Sequence, residues 1–332
     1  MSSPWTGELI GCAFQCYPSK QSETQFIVCI IVITTTKSRT EVVIMLKDEH
    51  VLQLIAESGL DRMGGTLEQT TLLSNRIHVT PSTDDEIAVG NSKIGGNPDL
   101  HASVDWPMYD GKPLTFIAQI QLNEVPWKPE PLPQSGLLSF FYEAVDQPWG
   151  FDPEEAGQWK VIYVADMAGL ERKAKPAELV NRDEAEAEAL AVNFSVQTTL
   201  LPPRTLEMKR LGPNADEMDK YMDLRESVVE HNGANTVIHR FLGHPDPIQG
   251  DMQLQTQLVS NGINCGDAFG YRDPRREELE PGAEGWKLLL QIDSVEELGL
   301  IWGDFGMIYF WIHEDDLKNG DFERVWVILQ CG

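Results

Sequence analysis

Apolar and polar positions alternate with a period of two along much of this chain, the signature of half-buried strands. The stretches "RIHVT" at Arg76–Thr80, Leu114–Leu122, Gly136–Ala144 and Trp159–Ala165 carry it in the first half. Trp286–Asp293, Gly306–His313 and Glu323–Gln330 carry it at the end. Helical spacing is found in two places. Val51, Leu54 and Ile55 share one face behind Asp48, a capping residue, and ahead of Gly59, a helix terminator. Met218, Tyr221, Met222, Val228 and Val229 recur at helical intervals, and "NRDEAEAEALAV" before them is rich in helix formers. Residues 167–232 are therefore expected to form a helical middle section, with Pro202–Pro203 separating its two pieces. Glycine pairs in "RMGGT" and "SKIGG" read as turns.

The pattern repeats. With Gln119 laid on Gln291, Ile120 falls on Ile292 and the apolar Phe116–Ala118 on Leu288–Leu290. With Gly136 on Gly306, Phe140 falls on Phe310 and Phe141 on Trp311, and "KVIYV" at Lys160–Val164 is matched to "RVWVI" at Arg324–Ile328. Gly96, Pro98 and Asp99 echo Gly243, Pro245 and Asp246. The expectation is an α+β protein with a mostly antiparallel sheet, built from two duplicated β-rich halves at about 95–166 and 243–330. Residues 1–44 are expected to be a peripheral hairpin or extension, and 45–332 a single domain.

Composition narrows the function classes. Among 332 residues, 52 are acidic and 26 basic, giving a formal charge of −26 that repels nucleic-acid phosphates and anionic lipid. The run "FIVCIIVIT" at Phe26–Thr34 is too short to span a bilayer and lacks the flanks of a signal peptide. Five scattered cysteines make neither a disulfide framework nor a zinc site. These readings predict a cytoplasmic protein with no nucleic-acid or membrane partner, as a monomer or weak oligomer.

The segments "SKIGGNPDL", "GKPLTFIAQIQL", "LPQSGLLSFFYE" and "QPWGFDPE", then "HRFLGHPDPIQGDMQL", "WKLLLQIDS", "WGDFGMIYFWI" and "FERVWVILQ", resemble the YwqG-like family, a bacterial family of unknown function. The resemblance covers roughly residues 76–332. It implies an α+β fold rich in antiparallel strands, and no established activity, cofactor or catalytic residue. Some relatives occur in toxin–immunity settings, which implies protein binding by association only.

The densest polar stretch, "HRFLGHPDPIQGD", holds His239, Arg240, His244, Asp246 and Asp251. Two His and two Asp could ligate a metal or serve as acid and base, although the His spacing is not that of a helical ligand pair. Asp99 and His101 in the matching loop join this set, and Asp99 with Asp246 could share a proton or a divalent ion if the loops converge. The competing reading is structural: Asp carboxylates bonding loop amides, His at the rim, and Gln119 and Gln291 bonding loose backbone groups. Trp127 and Trp149 lie in proline-rich loops, where they line a groove or staple the loop to the sheet, while Trp159, Trp286, Trp311 and Trp326 are expected in the core. The acidic stretches "FDPEE" and "HEDDL" read as solvated turns. No cofactor is expected. The function this supports is a non-catalytic interaction or regulatory module for a protein or small ligand; the alternative is a metal-assisted or carboxylate-based hydrolase at the paired loops.

Overall fold

The computed structural model describes residues 27–36, 39–179, 188–233 and 237–332. Strands β1 (Ile27–Thr36) and β2 (Arg39–Asp48) pair antiparallel with each other and with no other strand among the described residues. The rest of the expected 1–44 extension lies outside the described residues. The boundary expected at Met45 falls inside β2, which runs on to Asp48. Asp48 then caps α1 (Glu49–Glu57), its carboxylate accepting from the amides of His50 and Val51. The next helix, α2 (Asp61–Thr70), contains Gly64 and Gly65, so the "RMGGT" pair is helical and not a turn; buried Met63 and Leu67 hold it despite the glycines.

Strands β3 (Leu72–Ser82), β4 (Lys93–Gly95), β5 (Asp99–His101), β6 (Met108–Tyr109), β7 (Lys112–Pro113), β8 (Thr115–Gln121), β9 (Leu137–Tyr142), β10 (Trp159–Val164) and β11 (Leu170–Arg172) follow. Next comes β12 (Ala189–Thr199), where a helix is expected. Its β-branched and aromatic residues, Val192, Phe194, Val196, Thr198 and Thr199, outweigh the Ala-Glu repeat ahead of it, most of which lies outside the described residues. The middle section is thus partly sheet. Helix α3 (Leu206–Leu211) is capped by Thr205 and ended by Gly212, and α4 (Ala215–His231) opens with a reciprocal Asn214–Glu217 capping box. Strand β13 (His239–Phe241), α5 (Met252–Ser260), α6 (Arg276–Leu279), β14 (Trp286–Asp293), β15 (Met307–His313), α7 (Glu314–Asn319) and β16 (Trp326–Gln330) complete the chain.

The described chain divides into two compact units. The first includes α1, α2 and α4; within it, Asp48 meets His231 at 3.0 Å and Arg62 meets Glu217 at 2.7 Å. The second, Ser74–Val196, Leu201–Gly212 and Asn235–Gly332, holds most of the sheet.

That sheet has ten strands in the order β10-β9-β8-β4-β12-β3-β13-β14-β15-β16. Counted inward from either edge, the strands correspond in chain order: β10, β9, β8, β4 on one side and β16, β15, β14, β13 on the other. The registers correspond too. On β9, Ser139 faces Gln119 and Phe140 faces Ala118; on β15, Tyr309 faces Gln291 and Phe310 faces Leu290. Both pairings slip at one place, between Phe116 and Ala118 and between Leu288 and Leu290, leaving fully buried Ile117 and Leu289 as the extra residues. The turns after β4 and β13 share two consecutive left-handed residues, Gly95 (φ 72°) and Gly96 (φ 72°) against Leu242 (φ 65°) and Gly243 (φ 82°).

One sequence match is corrected. Phe140 faces Val161 and Phe310 faces Val327, so Val161 is the counterpart of Val327, and the match of Lys160 to Arg324 is two residues out. Tyr163, which faces Leu138, accordingly corresponds to Leu329, which faces Ile308. Alternating strands match one another at any even offset, which is how the two-residue error arises.

One core cluster takes side chains from both sets of strands. The counterparts Phe140 and Phe310 meet edge to face at 5.1 Å, a contact worth about 0.5–1.5 kcal/mol beyond the area it buries. At the outer strands, the Trp159 indole donates to the Val325 carbonyl at 2.8 Å, and the rings of Trp159 and Trp326 lie 4.9 Å apart.

Gly136 and Gly306 open β9 and β15 against the same obstacle. A β-carbon at Gly136 would strike the carbonyl oxygen of Val164, and one at Gly306 that of Gln330. Gly136 also has φ 102°, a conformation that L side chains rarely adopt. Alanine at either position should destabilise by more than about 1 kcal/mol, with Gly136→Ala the worse of the two. Urea unfolding of the two variants measures this, and an unchanged midpoint in both would mean that neither carbonyl confines its glycine.

Candidate functional site

The paired loops are built around buried glutamines. Gln119 Oε1 accepts from the Asp99 amide at 2.9 Å, while its Nε2 donates to the Asn91 carbonyl at 2.7 Å and to Asp99 Oδ2 at 2.6 Å. Gln291 Oε1 accepts from the Asp246 amide at 2.9 Å, while its Nε2 donates to the Ile238 carbonyl at 2.9 Å and to Asp246 Oδ2 at 3.2 Å. A cation completes each node. Arg172 donates through Nε to Asp99 Oδ1 at 2.9 Å, and Arg240 through Nη2 to Asp246 Oδ2 at 2.8 Å. Lys93 and Arg240 occupy matching positions, each facing its glutamine across a strand pair.

Asp99 is fully buried and also accepts from the Gly90 amide. Burial alone would raise its carboxyl, but the bonds from Arg172, Gly90 and Gln119 outweigh burial and hold it below the usual value. Lys93 is equally buried, donating to Asp84 at 2.6 Å and to the Asn97 carbonyl; burial lowers its ammonium against the pull of Asp84 and Asp99.

Asp99 and Asp246 each have their own partners, Asp99 with Gln119, Gly90 and Arg172, and Asp246 with Gln291 and Arg240. Their glutamines lie on β8 and β14, with four strands between them in the sheet order. Among the described residues, no group of three or more His, Cys, Asp or Glu is arranged to hold a metal.

The other candidates occupy separate environments. His239 is buried and not at a rim; its Nδ1 accepts from the Asp293 amide at 3.1 Å, and burial with nearby Arg76 pushes it down to about 3, leaving a neutral ring. Ser92 plays the same part in the first loop, its hydroxyl accepting from the Gln121 amide at 2.8 Å. Asp251 caps α5 by accepting from the Gln253 amide; burial raises its carboxyl against helix amides that lower it. His101 is half-buried with Nε2 2.8 Å from the Asp166 carbonyl, and His244 is half-buried in the loop after β13. Trp149 and Trp127 are half-buried against the core, so each staples its loop to the sheet. The "FDPEE" stretch is structural as well: Glu155 accepts from the amides of Trp149, Gly150 and Asp152.

A cleft of about 1000 Å³ opens elsewhere in this unit, beside β10 and β16. Trp106, Trp159, Trp286 and Trp326 line it. The indole N–H groups of these four are satisfied inside the protein, by Leu114, Val325, Gln257 and Gly150 respectively. Trp159, Trp286 and Trp326 are largely buried, as expected of core residues, yet all three also contribute to the cleft wall. Two ion pairs lie at the cleft, Lys160–Glu323 at 2.9 Å and Arg324–Asp316 at 3.2 Å. "HEDDL" supplies part of the lining through α7: His313 caps that helix, and Asp316 is buried, which raises its carboxyl despite Arg324. The sequence signal for this site is the placement of tryptophans at strand ends, Trp159, Trp286 and Trp326.

Replacing Asp99 by Asn should cost about 3–5 kcal/mol, because it removes the buried carboxylate paired with Arg172. Its folded-state carboxyl lies below the unfolded value, so this contribution is fully present above about pH 4 and is lost as pH falls through the depressed folded value. Urea unfolding of wild type and Asp99→Asn between pH 2 and 7 tests both claims; a gap that widens on acidification would contradict the sign.

A model of the family described as Domain of unknown function (DUF1963) matches residues 92–331. No curated protein matches the chain. The match begins at the strand carrying Lys93 and ends just after Gln330, so it takes in Asp99, Gln119, Asp246, Gln291 and the whole cleft lining. The chain belongs to the DUF1963 family.

Proposed function

We propose that this protein is a non-catalytic binding module of YwqG-like type, built by internal duplication, which holds a protein or small ligand in the tryptophan-lined cleft. The observation that carries the reading is the contrast between two places. At the paired loops, Asp99 and Asp246 are each engaged by a glutamine and an arginine. At the cleft, four indoles with internally satisfied N–H groups border open volume. A pocket walled by aromatic side chains, with a few polar groups at its margin, is the usual form of a ligand site.

Duplication is supported by the matching strand order, the two bulges and the two nodes. It also gives the cleft an origin, since β10 and β16 are counterpart strands. Cytoplasmic residence belongs to the same reading, which the free, buried thiols of Cys265 and Cys331 support. Among the described residues, no helix is long and apolar enough to cross a membrane. Burial also pushes the Cys265 thiol up to about 11, which makes it a poor nucleophile.

A fragment screen read by protein-observed NMR tests the site. Hits should shift resonances of Trp106, Trp159, Trp286 and Trp326, and Trp106→Ala should weaken them about tenfold. Hits that map instead to Asp99, His239 or Asp246, or hydrolytic activity abolished by Asp246→Asn in a folded protein, would contradict the reading.

A further inference from the structure

We propose that the cleft takes a basic peptide segment, seating arginine or lysine side chains against its indoles and carboxylates. This rests on the cleft being the binding site and adds the chemistry of its occupant. Charge complementarity is the first support. The lining carries four carboxylates, Asp105, Asp315, Asp316 and Glu323, against two cations, Lys160 and Arg324. Both cations are already paired, with Glu323 and Asp316. Within the lining, Asp105 and Asp315 exceed the two cations; Asp315 is 67% exposed, meets Lys318 outside the lining at 3.2 Å and lies 3.7 Å from His313.

Donor and acceptor balance is the second support. All four indole N–H groups point to internal acceptors, so the tryptophans offer the cleft apolar and π surface without free donors. Aromatic faces beside carboxylates suit groups that only donate. Guanidinium and ammonium are such groups, and both are attracted to aromatic faces. An anionic ligand would meet Lys160 and Arg324 already paired with Glu323 and Asp316.

Size favours a chain segment. A volume of about 1000 Å³ lies at the upper end of what single small ligands fill. A formal charge of −26 also speeds the approach of a basic partner.

The test uses the full chain and four peptides of equal length: acetyl-Gly-Arg-Gly-Arg-Gly-amide and its lysine, citrulline and glutamate counterparts. Calorimetry should show saturable binding of the arginine and lysine peptides. The citrulline peptide should bind at least tenfold more weakly and the glutamate peptide not at all. Asp105→Asn/Asp315→Asn, with an unchanged Tm, should weaken the arginine peptide about tenfold and flatten its salt dependence. Equal binding of the citrulline peptide, indifference to the double variant, or no binding by any peptide would overturn the proposal. If the citrulline and arginine peptides bind equally and Trp106→Ala weakens both, the cleft stands as the site and only the cationic occupant fails. If the arginine peptide binds but ignores Trp106→Ala, both readings fail together.

Discussion

A buried glutamine holding the amide and carboxylate of one aspartate is the interaction on which the rest of this structure depends. The loop after β4 leaves the sheet through two left-handed residues, and so does the loop after β13. Backbone groups turned inward at such exits need partners, because an unpaired buried amide costs as much as a lost hydrogen bond. Gln119 and Gln291 supply those partners, and each also fixes the carboxylate that an arginine neutralises. The glutamines sit two residues beyond the bulges at Ile117 and Leu289, so strand register and loop closure are coupled.

This arrangement determines where chemistry can occur. The Asp99 carboxylate, bonded to Arg172, Gln119 and the Gly90 amide, has little capacity left to bind a metal or move a proton. Asp99 and Asp246 thus fix the loops after β4 and β13 to Gln119 and Gln291. The opening lies at the other end of each four-strand set, where Trp159 and Trp326 meet and the lining is drawn from separate elements. Residues far apart in sequence, such as Trp106 and Arg324, share that cleft.

Much of the sheet was legible because its strands alternate and its glutamine positions recur in order. Gln119, Gln291, Gly136 and Gly306 anchor the comparison, since each has a specific partner. The last strand of each set has no such anchor, and its match slipped by two residues. Local composition also misled. The Ala-Glu repeat suggested helix where β12 enters the sheet, and Gly64–Gly65 suggested a turn inside α2. Tertiary packing decided both, through the sheet neighbours of β12 and the burial of Met63 and Leu67. The cleft was the least legible feature. Its tryptophans read as core because they are mostly buried, and their strand-end placement alone does not say which buried rings also border open space.

The most direct measurement is a pair of double-mutant cycles on unfolding free energy, one joining Gln119→Met with Asp99→Asn and the other joining Gln291→Met with Asp246→Asn. Hydrogen bonds to charged partners at both nodes predict coupling of about 1.5–3 kcal/mol in each cycle. Additivity within about 0.5 kcal/mol in either cycle would contradict the account, for it would mean that the glutamine does not hold the aspartate there.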